Sequence, residues 1–289
     1  MENATYDYSP IISRKPFKLP NNAPLAVWIV LCVEYFDIGK PVPGGRSNNV
    51  PDMQTYAARD YGNRVGIWRI MDVLDKYQVK ATLCANSEIF THYPVIGEES
   101  KKRGWEFMAH SDTNTRFLGG LSEAEERKVI SSSIATVAQA AGERPKGWRS
   151  SGMTTNFITP SILAEEGIRY ISDWGNDDQP HLVNVKAGRM ISLPSDNVPD
   201  LRFREQTSSD YYDTIKEHFD TLFREGVTQA RTFAMCLHAF EIGQPSKIGV
   251  LDKMLKHMKE SKEVWFCTGW ELARWYYENY LRIDNNQIG

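Results

Sequence analysis

LAVWIVLCVEYFD, residues 25–37, decides how the rest of the chain reads. Leu25–Val33 is an unbroken apolar run. It falls well short of the roughly 20 residues a membrane helix needs. Its length is that of a strand, and the absence of a polar alternate position predicts burial on both faces, as in a parallel sheet covered by helices. The run stops abruptly at Glu34 and Tyr35, with Asp37 just beyond. A buried strand that ends in a carboxylate is where α/β folds place their chemistry.

Working outward, strand and helix signals alternate. Residues 60–77 carry a helical apolar stripe of Val65, Trp68, Met71, Val73 and Leu74. Short apolar runs at 81–84 and 105–109 flank a predicted helix over 88–103. Ser122 and Glu125 form a capping-box pattern that opens a helix to about Ala141, and Gly142 supplies the left-handed stop. Thr159 and Pro160 start a helix that Gly167 ends. Further strand-like runs lie at 169–172, 190–193, 231–237 and 264–267, with helices expected at 210–224, 248–261 and 269–280. This alternation predicts a parallel sheet, and the number of units favours a closed barrel. No linker or repeat divides the chain. Residues 1–20 read as an N-terminal arm, 21–289 as one catalytic domain, and 284–289 as a frayed end.

Composition narrows the function. Of 289 residues, 41% are hydrophobic and 25% charged, a globular balance, and the net charge of −3 offers no field for nucleic acid or an acidic membrane surface. The first twenty residues lack a basic stretch followed by an apolar run, which predicts a cytoplasmic protein. Cys32, Cys84, Cys236 and Cys267 each sit in or beside an apolar strand-like run and read as reduced, buried small hydrophobes. Residues 35–61 lack periodicity, contain Pro41, Pro43, Gly44 and Gly45, and read as a long loop that narrows a pocket. Eight tryptophans and 13 tyrosines make a homo-oligomeric interface an expectation.

Polar residues at strand ends form a set. Glu34 ends the first strand; His110 follows the 105–109 run and leads into Ser111, Asp112, Thr113 and Asn114; Arg149 follows Gly147 and Trp148; Asp173, Trp174, Asp177 and Asp178 follow the 169–172 run; His238 ends the 231–237 run. A carboxylate, two histidines, an arginine and an acidic cluster thus converge on one rim.

In order and spacing, Glu34, HSDTN (110–114), WRSSG (148–152), SDWGNDD (172–178) and CLH (236–238) resemble the motif series of the polysaccharide deacetylase superfamily, carbohydrate esterase family 4, over nearly the whole chain. The resemblance implies a distorted (β/α) barrel of about seven strands and hydrolysis of an amide. Glu34 then aligns with the family's catalytic base, Tyr35 stands where a metal-binding aspartate belongs, and Asn114 replaces the second histidine of a His-x-x-x-His pair. Tyrosine and an amide are poor ligands for a zinc-like ion. That loss, with the NDDQPHLVNVKAGRMISLP stretch (176–194), is similar to the allantoinase-like and cyclic imide hydrolase branch. The substrate it implies is a small cyclic amide, imide or ureide, and no cofactor is expected.

On this resemblance Glu34 is the general base, its pKa expected to rise through burial, and His238 is the acid for the leaving nitrogen. His110 donates to the oxyanion or binds a metal, helped by Asn114. Arg149 orients Glu34 or holds a product carboxylate; Asp173, Trp174 and Tyr35 shape the substrate pocket; Asp177 and Asp178 cap a turn. His92, in an apparent loop, His218 and His257 are assigned to structure or solvent. Two other readings remain. One is a metal-dependent deacetylase of N-acetylated sugars, its ion held by His110, His238 and a third ligand such as Asp37. The other is a catalytically silent barrel that binds a small ligand.

Overall fold

The computed structural model describes residues 3–45, 48–195, 198–261 and 263–283. The predicted tail at 284–289 lies outside the described residues. In chain order the main elements are β1 (Leu25–Val33), α1 (Met53–Tyr61), α2 (Ile67–Tyr77), β2 (Ala81–Ala85), α3 (Ser87–His92), α4 (Pro94–Lys102), β3 (Glu106–Ala109) and α5 (Glu123–Ala141). There follow β4 (Gly147–Trp148), α6 (Thr159–Glu165), β5 (Tyr170–Ile171), β6 (His181–Val183), β7 (Met190–Ser192) and α7 (Ser208–Gly226). The chain closes with β8 (Arg231–His238), α8 (Ala239–Ile242), α9 (Ile248–Glu260), β9 (Val264–Phe266) and α10 (Gly269–Trp275).

The strands form one curled sheet in the order β6-β7-β5-β4-β3-β2-β1-β8, with β9 also on β1. Every pairing is parallel except β6 with β7. β8 pairs along Leu25 to Cys32 of β1, so β2 (from Ile29) and β9 (up to Val27) divide the other edge. Among the described residues the sheet has nine strands where about seven were expected, and the barrel is partial rather than closed. Its ends, β6 and β8, do not pair; a bond from Thr232 N to Asp178 O (2.8 Å) reaches across the gap.

The period-2 geometry of β1 sorts its side chains. Val27, Ile29, Leu31 and Val33 face the surrounding helices in a core with Ile67, Ile70, Leu74, Ile130, Ile134 and Leu251. Ala26, Trp28, Val30 and Cys32 face the concave side, which Tyr170, Leu272, Tyr276 and Tyr277 fill together with Cys84, Met108 and Cys236. Continuing each inward row by two residues gives Glu34 after Cys32, Asn86 after Cys84, His110 after Met108 and His238 after Cys236. The site is the next layer of the barrel interior.

Three elements differ from expectation. The helix expected at 60–77 begins at Met53, because the Asp52 carboxylate accepts from Thr55 N and caps it. α1 buries no residue, so it carries no apolar stripe to read. The 88–103 helix is two, broken at Pro94, which has no N–H to donate and therefore starts α4 instead. β6, a three-residue antiparallel edge, was not expected. The capping box expected at Ser122/Glu125 forms, and a second one forms at Thr268/Glu271. No helix among the described residues is long and apolar enough to cross a membrane.

Candidate active site

Glu34 sits between two imidazoles. Its Oε1 lies 3.7 Å from His110 Nε2 and 3.6 Å from His238 Nε2, and all three residues are buried. These are ion-pair separations rather than hydrogen bonds. Each histidine is oriented from behind. His110 Nδ1 lies 2.8 Å from the Arg149 carbonyl, which makes Nδ1 the donor and turns Nε2, without a partner of its own, toward Glu34. His238 Nδ1 lies 2.6 Å from Asp200 Oδ1, while Asp200 Oδ2 accepts from the His238 amide at 2.7 Å. Glu34 itself is steadied through its backbone, whose carbonyl accepts from Asn63 Nδ2 at 3.0 Å.

The charges follow from this geometry. Burial by itself would lift the Glu34 carboxyl; the neighbouring His110, and the positive charges of His238, His110 and Arg59, outweigh it and bring the group down to about 2. The expected rise toward neutrality therefore does not occur. Burial would lower His238, but the Asp200 charge and hydrogen bond, with Glu34, raise it to about 9. His110 is also raised: burial opposes its charge, and Glu34 more than compensates. At neutral pH the site holds a carboxylate facing an imidazolium.

A cavity of about 380 Å³ opens over this triad. Its wall includes Phe36, Pro43, Phe117, Met153 and Leu201, with Arg59, Asn114, Arg149 and Arg202. Arg149 lies in the wall but not against Glu34; its Nη1 donates to Ser172 O (2.5 Å) and Ser195 Oγ (2.6 Å). Asp173 is buried behind the wall, where Oδ1 accepts from Ser150 N at 2.7 Å and burial raises its pKa.

Tyr35 and Trp174, expected in the pocket, do not line it. The Tyr35 ring stacks on His92 at 4.6 Å, and His92 itself belongs to α3 rather than to a loop. Trp174 packs against Tyr6 of the N-terminal arm at 5.6 Å. Asp37, the third ligand of the metal-dependent reading, accepts from Gly39 N at 2.8 Å and is absent from the cavity wall. Asp177 turns its own backbone, accepting from Gln179 N at 3.0 Å, and pairs with Arg14 at 2.5 Å.

Asp200, Asn86 and Arg59 were not foreseen. Asn86 was within reach, since it ends β2 as Glu34 ends β1; its Oδ1 accepts from Tyr35 N (2.8 Å) and its Nδ2 donates to His110 O and to Asn114 Oδ1 (3.1 Å). Asp200 follows no strand and Arg59 sits on a helix with no buried face, so neither carries a local signal.

The residues do not fit the ion that the family resemblance implies. Tyr35 is turned away, and the Asn114 amide oxygen is already engaged by Asn86. Among the described residues, the grouping of three His, Cys or acidic donors close enough for one ion is His238 with Cys32 and Cys236, the two thiols lying one layer below the site.

Over residues 48–171 the chain matches the family model described as polysaccharide deacetylase. A Schizosaccharomyces pombe protein provisionally named a polysaccharide deacetylase is 25% identical over 236 residues, 74% of this chain and 73% of that one. Both likenesses are to polysaccharide deacetylases. The fold agrees. A Pseudomonas aeruginosa structure, also provisionally named a polysaccharide deacetylase, superposes with a TM-score of 0.82 at 24% identity, covering 91% of this chain and 94% of that one. The structure of PuuE allantoinase gives 0.84 at 24% identity, covering 95% and 99%.

Proposed function

We propose that this chain hydrolyses a C–N bond in a small cyclic amide, imide or ureide, using water activated by Glu34 and no metal. The observation that carries the reading is Glu34 held between two histidine Nε2 atoms at 3.6 and 3.7 Å beneath a small, largely apolar cavity. The resemblance in shape to PuuE allantoinase supports a ring as substrate. The replacement of metal-binding side chains by Tyr35 and Asn114 supports a metal-free route.

Water attacks the ring carbonyl as Glu34 takes one of its protons. The developing oxyanion receives the Nε2–H of protonated His110. Imidazolium His238 gives its Nε2 proton to the leaving nitrogen, the C–N bond breaks, and the ring opens to a carboxyl and an amine or amide. The reset is intramolecular. Protonated Glu34 is a far stronger acid than imidazolium His238 and lies 3.6 Å away, so the proton returns downhill.

The test is turnover on succinimide, hydantoin, dihydrouracil, allantoin and an N-acetylglucosamine oligomer, each with and without chelator. Ring opening that is indifferent to chelator is the expected result. Deacetylation of the sugar that chelation abolishes would replace this reading with the metal-dependent one. No turnover on any ring would favour a silent binding barrel.

A further inference from the structure

Arg59 comes from α1, which packs against α8, and reaches the same cavity wall as Glu34 and His238. Its guanidinium stands 4.2 Å over the Phe240 ring centroid and 5.4 Å from that of Phe36. Stacking uses the faces of the group and leaves its N–H edge free for in-plane acceptors. Among the described residues that edge has no hydrogen-bond or ion-pair partner, although the side chain is partly buried. Arg14, Arg103, Arg127 and Arg144 all pair with carboxylates.

The position is built rather than incidental. α1 runs through a π-turn, Gly62–Gly66, into α2, and this turn packs directly against α8. A Cβ on Gly62 would stand 2.5 Å from Phe240 N, and one on Gly66 would stand 2.1 Å from Ala239 O. The two glycines let the helix bearing Arg59 settle onto the segment that carries Phe240. The same turn supplies Asn63 to the Glu34 carbonyl, so Arg59 and Glu34 are referenced to one structural element.

The cavity is also lopsided in charge. Its lining contains Arg59, His110, Arg149, Arg202 and His238 against the single acidic residue Glu34. Low-dielectric walls strengthen such a field and draw anions into the cleft.

We infer that Arg59 is a carboxylate-binding subsite, and that the preferred substrate is a small cyclic amide carrying a carboxylate on the ring or on a short side arm. This deepens the ring-opening reading and rests on it for the reacting bond, while the anion subsite stands on binding alone. A planar carboxylate matches the guanidinium edge in two parallel hydrogen bonds and would hold the ring with its carbonyl toward Glu34.

The test compares succinamate with succinamide, which have nearly the same shape and differ in one carboxylate, by calorimetric titration. The intact protein should bind succinamate at least about tenfold more tightly, the scale of one charge-assisted hydrogen bond. Arg59→Met, checked for native circular dichroism, should bring that preference close to one, and Arg59→Lys, which keeps the charge and loses the fork, should fall between. Absence of a preference in the intact protein, or a preference that survives Arg59→Met, overturns the subsite. If Arg59→Met does not fold, an Arg59→Lys preference equal to that of the intact protein overturns it as well. Turnover on neutral rings without carboxylate preference would sink the subsite and leave the hydrolase reading standing. Arg59-dependent binding without turnover on any ring would do the reverse.

Discussion

A carboxylate between two imidazoles behaves as one unit, and its parts are separable by substitution. Glu34→Gln keeps the shape and removes the base, so turnover on an opened ring should fall by about 10²–10⁴-fold, the usual contribution of a general base. Near-full activity in that variant, measured by steady-state kinetics, would remove Glu34 from its role. Asp200 acts through His238 rather than on substrate. It accepts from both the ring and the amide of that residue and holds the imidazolium charged up to about pH 9. The alkaline limb of kcat/KM should therefore lie near 9, and Asp200→Asn should move it down toward the ordinary histidine value, since Glu34 is then the main charge left to oppose burial. A loss of activity with the limb unmoved would mean that Asp200 only supports the fold.

Secondary elements set where these residues can stand. The inward parity of β1, β2, β3 and β8 aims their strand-end residues at one mouth, and that parity is legible in the apolar runs themselves. The mouth side is less so. α1 buries no residue completely and gives no apolar period, yet it delivers Arg59 because the Gly62–Gly66 turn fits against α8. Gly66→Ala would drive a methyl into Ala239 O and should destabilise the fold by about 1–3 kcal/mol, the usual range for overpacking. Chemical denaturation should show this as a lower midpoint with unchanged slope. An unaltered midpoint would mean that the contact between this turn and α8 yields freely, and the placement of Arg59 would lose its anchor.

The whole molecule couples the site to stability through pH. Glu34 is lowered from 4.5 to about 2, so its contribution is complete above 4.5 and is lost as pH falls toward 2. His238 is raised from 6.5 to about 9, so its contribution is complete below 6.5 and is lost as pH rises to 9. Glu106, at the start of β3, accepts from Tyr170 and Thr82 hydroxyls at 2.7 and 2.9 Å, yet burial pushes it up to about 7, so it too favours the acid side and loses its contribution between 4.5 and 7. Thermal unfolding should peak near pH 4.5–5 and decline by pH 9, and Glu106→Gln should flatten the part of the decline below 7. A midpoint rising from pH 5 to 9 would contradict these assignments. By itself the sequence determined most of the strands (β1, β2, β3, β5, β7, β8 and β9), their inward rows, and the polar residues Glu34, His110, Arg149 and His238 at strand ends, because period-2 burial and strand termini are local properties. Only the tertiary structure decided that Asp200 meets His238 from 38 residues away, that Arg59 rests on Phe240, and that Tyr35 and Trp174 face elsewhere. It also decided the charge of Glu34. Burial is visible in a sequence, but the two histidines that overrule it are neighbours only in space.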